Sequence, residues 1–133
     1  MYTEFVSTEA LTRVVDPVAR RKVTADLIFH EIERPIVAQL FGSDPKQMAH
    51  CVQMMHEVYK FDGVDINMGC PDRNICRSGA GAELIKTPDL AQKIVDEAKR
   101  AVEGFPISVK TRIGISSPNE LDAWLQALFD VEP

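Results

Sequence analysis

The run Pro35-Ile-Val-Ala-Gln-Leu-Phe41 holds six apolar residues and one polar one, Gln39. A strand with one wet face alternates apolar and polar residues. A near-continuous apolar run suits a strand covered on both faces, as in a parallel sheet flanked by helices. Parallel strands cannot be joined by tight hairpins; they need a crossover, usually a helix. The rest of the chain must therefore supply helices between further strands, and its punctuation does so.

Tyr2 to Val6 reads as a first strand. Helix-like composition follows over Thr8 to Val15 and again over Pro17 to Glu31, with a proline break between them. After the apolar run, Asp44-Pro45-Lys46-Gln47 opens a helix: Asp44 caps it, Pro45 fits the first position and Gln47 is placed to reach back. Met48, Cys51, Val52, Met55 and Tyr59 recur at helical spacing. Gly63 to Asn67 is the next strand. Thr87-Pro88 starts another helix with Leu90, Ile94, Val95, Ala98 and Val102 as its stripe, ended by Gly104. Ile107 to Arg112 is a further strand, and Ser117-Pro118-Asn119-Glu120 has the form of a capping box for a last helix from Pro118 to about Phe129. The alternation predicts an α/β fold of about four parallel strand–helix units with right-handed crossovers. A closed eight-unit barrel needs roughly 200 to 250 residues. At 133 residues the chain is an open α/β sheet or part of such a barrel.

Alternation along a strand lets each face be followed by residue parity. Gln39 lies near the end of its run. Asp65 and Asn67 share one face of their strand, opposite Val64 and Ile66. Ser108, Lys110 and Arg112 share a face of the last strand. Three successive strands thus place polar groups toward their C-terminal ends, where parallel α/β folds build their sites. Lys110 inside ISVKTR calls for a reason, because a lysine buried without a partner is expensive. The alternative is an edge strand that leaves Lys110 in solvent.

Just past Asn67 the sequence sets Gly69-Cys70-Pro71. Such a cysteine can serve as nucleophile, metal ligand or proton donor. A nucleophile calls for a base, and His30, His50 and His56 all fall in helical segments with nothing directing them at Cys70. Cys70 and Cys76 are spaced too far apart for a zinc pair and no second pair exists, so no metal is expected. Cys51 and Cys76 read as packing residues. Gly79-Ala-Gly-Ala82 offers amides for an anion or, equally, a close helix approach to the sheet.

The formal net charge of −5 and pI of about 5.2 give no whole-chain footprint for nucleic acid, and a local basic patch stays open. Three cysteines without framework spacing fit a reducing compartment. With no signal-peptide pattern in MYTEFVSTEAL and no apolar run near the ~20 residues of a membrane span, a cytoplasmic protein without membrane attachment is expected.

The segment VDINMGCPDRNICRSGAGAELIKTP resembles the signature of the tRNA-dihydrouridine synthases, Asn-x-Gly-Cys-Pro followed by a Gly-x-Gly stretch. PIVAQLFG and ISVKTRIG on either side, and YTEFVSTEAL before them, resemble the same family in the same order. The resemblance implies a TIM (β/α)8 barrel enzyme that uses flavin mononucleotide (FMN) to reduce the 5,6 double bond of uridines in tRNA, with NADPH recharging the flavin. It implies that Gln39 and Lys110 hold the flavin ring, that Cys70 is the general acid, and that Asn67 and Arg112 line the substrate pocket. It also implies that residues 1–133 cover about strands two to five of the catalytic barrel. The family's first strand, later strands and C-terminal helical tRNA-binding domain would then lie outside the chain, and the fragment alone would be inactive. Two alternatives remain: a non-catalytic half-barrel that associates with itself, and another FMN-dependent barrel oxidoreductase, which would leave the Cys-Pro loop unexplained.

Overall fold

The near-continuous apolar run becomes β2 (Val37–Phe41), an inner strand of the sheet. The computed structural model describes residues 1–117 and 120–133. Strand β1 (Tyr2–Ser7) lies on one side of β2; β3 (Gly63–Asn67) and then β4 (Ile107–Lys110) lie on the other. All three pairings are parallel, in the order β1-β2-β3-β4, so β1 and β4 are the edges. The sequence order of the strands is their spatial order, as expected when right-handed crossovers put every connecting helix on one face. This is a four-unit portion of a (β/α)8 barrel.

Helices α1 (Thr8–Arg13) and α2 (Pro17–Val23) follow β1, and α3 (Pro45–Met54) follows β2. The short α4 (Arg73–Arg77) and the long α5 (Pro88–Ala101) follow β3; α6 (Leu121–Phe129) follows β4. The start of α3 behaves as its sequence dictates. Asp44 accepts from the N–H groups of Lys46 and Gln47, at 2.8 and 3.1 Å, and Pro45 takes the first turn. Such a cap contributes about 0.5–2 kcal/mol. The helix runs on as a π turn, Met55–Tyr59, and stops where Lys60 turns left-handed at φ 62°.

The core lies between one sheet face and α3 with α5. Val6, Ala38, Leu40, Val64 and Ile66 point into it from the strands. Met48, Cys51, Val52 and Met55 meet them from α3 and its extension, and Ala91, Ile94, Val95 and Ala98 from α5. Each large aliphatic side chain buried here stabilises the fold by about 1.5–3 kcal/mol relative to exposure. The inner face of the sheet, away from these helices, carries the polar residues.

Three stretches depart from the sequence expectation. The helix expected over Pro17 to Glu31 ends at Val23; short 3₁₀ turns follow at Ala25–Leu27 and Glu31–Glu33. Helix α2 buries no residue, so no packed face carries it further. Phe29 instead turns onto Phe61, with ring centroids 4.8 Å apart. The strand expected to reach Arg112 ends at Lys110, because β3 itself turns away after Asn67 and leaves no ladder to extend. Residues 73–77, to which the sequence pattern assigns no element, form α4, which Asp72 caps through the N–H groups of Asn74 and Ile75. The capping box expected at Ser117-Pro118-Asn119-Glu120 falls partly on residues 118 and 119, outside the described residues. The carboxylate of Glu120 accepts from the N–H of Ile115 at 2.7 Å.

Candidate active site

The end of β3 sets the site. Asn67 is the last strand residue, and its Oδ1 accepts from the backbone N–H groups of both Gly69 and Cys70, each at 3.1 Å. An asparagine that bonds the backbone two or three residues on replaces ladder bonds with a turn. The chain therefore leaves the sheet here, and Cys70 sits at the C-terminal edge. Gly69 permits the approach of the next strand's exit: a Cβ at this position would meet the Thr111 backbone at 3.1 Å. Thr111 is held in turn from α6, where the indole N–H of Trp124 donates to its hydroxyl at 2.7 Å.

Gln39, Asn67, Cys70, Lys110 and Arg112, the five residues singled out from the sequence, all line one cavity of about 430 Å³, together with Phe5 and Thr111. A neighbouring cavity of about 440 Å³ shares Gln39 and Lys110 and adds Asp65, Ser108 and Tyr2. The register explains the assembly: Gln39 pairs with Asp65, Asp65 with Ser108, and Asn67 with Lys110. Of the two readings of Lys110, the structure has the edge strand with an exposed side chain. That side chain nonetheless lines the same cavities as Gln39. Arg112 lies past the strand end, on the rim.

Beneath the cavity runs a hydrogen-bonded row. The hydroxyl of Ser108 donates to Asp65 Oδ1 at 2.8 Å, and Gln39 Nε2 donates to Asp65 Oδ2 at 2.7 Å. Asn67 Nδ2 lies 3.5 Å from Gln39 Oε1. Gln39, Asp65 and Asn67 are all buried. Asp65 and Ser108 were not among the sequence candidates for the site, although parity already put them on the face of Asn67 and Lys110.

The thiols divide by environment. Cys51 is fully buried against the core and burial pushes its pKa up to about 12. Cys70 and Cys76 are half-buried, and the Cys76 thiol points at the Cys70 carbonyl oxygen, 3.6 Å away. None of the three histidines lines the cavity. Among the described residues no cluster of three or more His, Cys, Asp or Glu could hold a metal ion. The amides of residues 79, 80, 82 and 83 donate to backbone carbonyls, which favours packing over anion binding for the glycine stretch.

The cations are unevenly engaged. Arg13, Arg34, Lys86 and Arg100 pair with carboxylates. Lys110 and Arg112 pair with none among the described residues, nor do Arg73 and Arg77, which line a smaller cavity that shares Pro71 with the first. An acidic chain thus keeps four free cations around Cys70. A separate cavity of about 320 Å³ between the β1–α1 and β2–α3 turns has its main charged groups occupied: Arg13 pairs with Glu9, and Asp44 caps α3. Among the described residues no helix is long and apolar enough to cross a membrane.

Comparison with known proteins gives the same direction. A family model described as dihydrouridine synthase (Dus) matches residues 1–129. A probable tRNA-dihydrouridine synthase of Staphylococcus aureus (strain COL) is 36% identical over 129 residues, covering 97% of this chain and 38% of the relative. Probable tRNA-dihydrouridine synthase 2 of Bacillus subtilis (strain 168) is 38% identical over 124 residues, covering 93% and 36%. The chain thus spans well under half the length of these relatives. With nearly all of its residues inside the match, the chain belongs to the dihydrouridine synthase family.

Proposed function

We propose that this chain supplies part of the catalytic barrel of a cytoplasmic tRNA-dihydrouridine synthase, an oxidoreductase that reduces the uracil 5,6 double bond. The observation that carries the reading is the gathering of Gln39, Asn67, Cys70, Lys110 and Arg112 on one cavity at the C-terminal ends of the strands. Further barrel units and a helical tRNA-binding domain complete the enzyme in this reading.

The residues present fit a flavin ring. Gln39 commits one Nε2–H to Asp65 and keeps a second for a ligand. Lys110 brings an ammonium with no carboxylate partner among the described residues, suited to the pyrimidine edge where negative charge gathers on reduction. When bound, FMN supplies hydride to uracil C6, and NADPH restores it. Asn67 and Arg112 hold the base and the backbone beside it. The Cys70 thiol delivers the proton at C5. This role explains a cysteine without a histidine base, since a general acid needs only reach and a proton. The four free cations around Cys70 suit a polyanionic substrate.

The test takes the complete enzyme that contains this chain, loads it with FMN, reduces it, and counts dihydrouridine formed in tRNA in a single turnover. Product is expected from the unsubstituted complete enzyme and not from residues 1–133 alone. Cys70→Ala should keep the flavin and slow the reaction about 10²–10⁴-fold. No product from the flavin-loaded complete enzyme, or equal rates for the two, would remove the assignment. A second reading, a self-associating half-barrel, is favoured by the two open edges β1 and β4; light scattering of the purified chain separates monomer from dimer.

A further inference from the structure

The row from Ser108 to Cys70 has a direction. Both ends are fixed by chemistry that cannot be reversed. At one end the backbone N–H groups of Gly69 and Cys70 require an acceptor, so Asn67 must present Oδ1 to them. Its Nδ2 then faces Gln39, which must answer with Oε1. That turns Gln39 Nε2 toward β3, where it needs an acceptor. Asp65 is that acceptor, at 2.7 Å, and a carboxylate accepts without donating. A donor in its place would turn both carboxamides over and set an N–H against the N–H groups of the Cys70 loop.

We propose that Asp65 is a positioning residue: as the terminal acceptor of the row, it sets the orientation of the Gln39 and Asn67 carboxamides and, through them, the placement of Cys70. The chemical consequence rests on the proposed function, because the atoms so oriented are those assigned to the flavin and the proton. The geometry itself does not rest on it. Ser108 has a lesser part, because its hydroxyl can rotate to donate or accept. Gln39, Asp65 and Asn67 are nearly fully buried, which strengthens the bonds within the row.

The experiment is amide exchange by NMR on the chain without flavin or RNA, so that its failure is distinct from failure of the enzymatic reading. In the unsubstituted chain the Gln39 Nε2 hydrogen bonded to Asp65 should exchange more slowly than its geminal partner, which faces the cavity. Asp65→Leu should speed exchange of the Gly69 and Cys70 amides by about fivefold or more, as expected for one lost hydrogen bond, while the β1–β2 ladder keeps its protection. Asp65→Asn should restore slow exchange, with Oδ1 toward Gln39 and Nδ2 toward Ser108, a rescue that packing alone does not predict. Should Asp65→Leu fail to fold, Gln39→Met cuts the same row at its centre and must speed the same two amides. Equal exchange of the two Gln39 Nε2 hydrogens, no rescue by asparagine, or unchanged Gly69 and Cys70 exchange in whichever of the Leu and Met variants folds would each overturn the proposal.

Discussion

Gly81 stands so close to Cys70 that a Cβ at residue 81 would fall 2.7 Å from the Cys70 carbonyl oxygen. The same added atom would meet Ile75 Cγ2 at 2.8 Å, and Gly81 is left-handed at φ 61°. Next to it, the N–H of Ala82 donates to that carbonyl at 2.9 Å. Space, backbone conformation and a hydrogen bond thus all require glycine here. Gly81→Ala should destabilise the fold by about 1–3 kcal/mol. Its thiol-labelling rate at Cys70 should also rise. Denaturant midpoints and labelling kinetics check both; a midpoint unchanged within error would show that the loop relaxes without cost.

The three thiols should react in a set order. Cys51, with its pKa near 12 through burial, should resist a disulfide reagent at pH 8 in the native protein, whereas Cys70 and Cys76 react. Because the folded pKa is raised, Cys51 contributes stability that is present below its ordinary unfolded pKa and lost as pH rises toward the folded value. Cys51→Ala should accordingly flatten the alkaline loss of stability. Mass spectrometry of labelled peptides and melts from pH 8 to 11 read these outcomes; rapid native labelling of Cys51 would contradict them.

Acid should loosen the turn that leads into β2. The carboxylate of Asp62 accepts from the N–H of Ile36 at 2.8 Å and from Arg34 at 2.9 Å, and these bonds, the backbone one foremost, lower its pKa. A lowered folded pKa gives stability that is present above the unfolded value and lost as pH falls through the folded one. Asp62→Asn should therefore lower Tm at pH 7, and the difference from the unsubstituted protein should close as pH falls below the ordinary carboxylate range. A gap of constant size across that range would mean that charge is not the cause.

The basic rim should show in salt dependence. If Arg73 and Arg77 meet phosphates, replacing both with alanine should lower the slope of log affinity against log salt by about 1.4 for single-stranded RNA, or roughly 0.7 for each contact. In the complete enzyme the single-turnover rate at saturating RNA should hold, since neither side chain lines the Cys70 cavity. Anisotropy titrations at several salt concentrations measure the slope; an unaltered slope would take these arginines out of the interface.

Much of this arrangement is legible in one dimension. The near-continuous apolar run around Gln39 implied a strand covered on both faces, because alternation is a property of the strand alone. Parity put Asp65 with Asn67 and Ser108 with Lys110 for the same reason. Asp44-Pro45 set the start of α3 through a cap whose atoms lie within four residues. The tertiary structure decided what depends on neighbours. The 3.1 Å turn bonds of Asn67 end β3, and so leave Arg112 outside β4. Lack of a buried face stops α2 at Val23. Register between strands brings Gln39 opposite Asp65, and only that juxtaposition makes the carboxylate an anchor for the Cys70 loop. Periodicity can be read from a chain by itself, but register and the orientation of an amide exist only once a second strand supplies the partner.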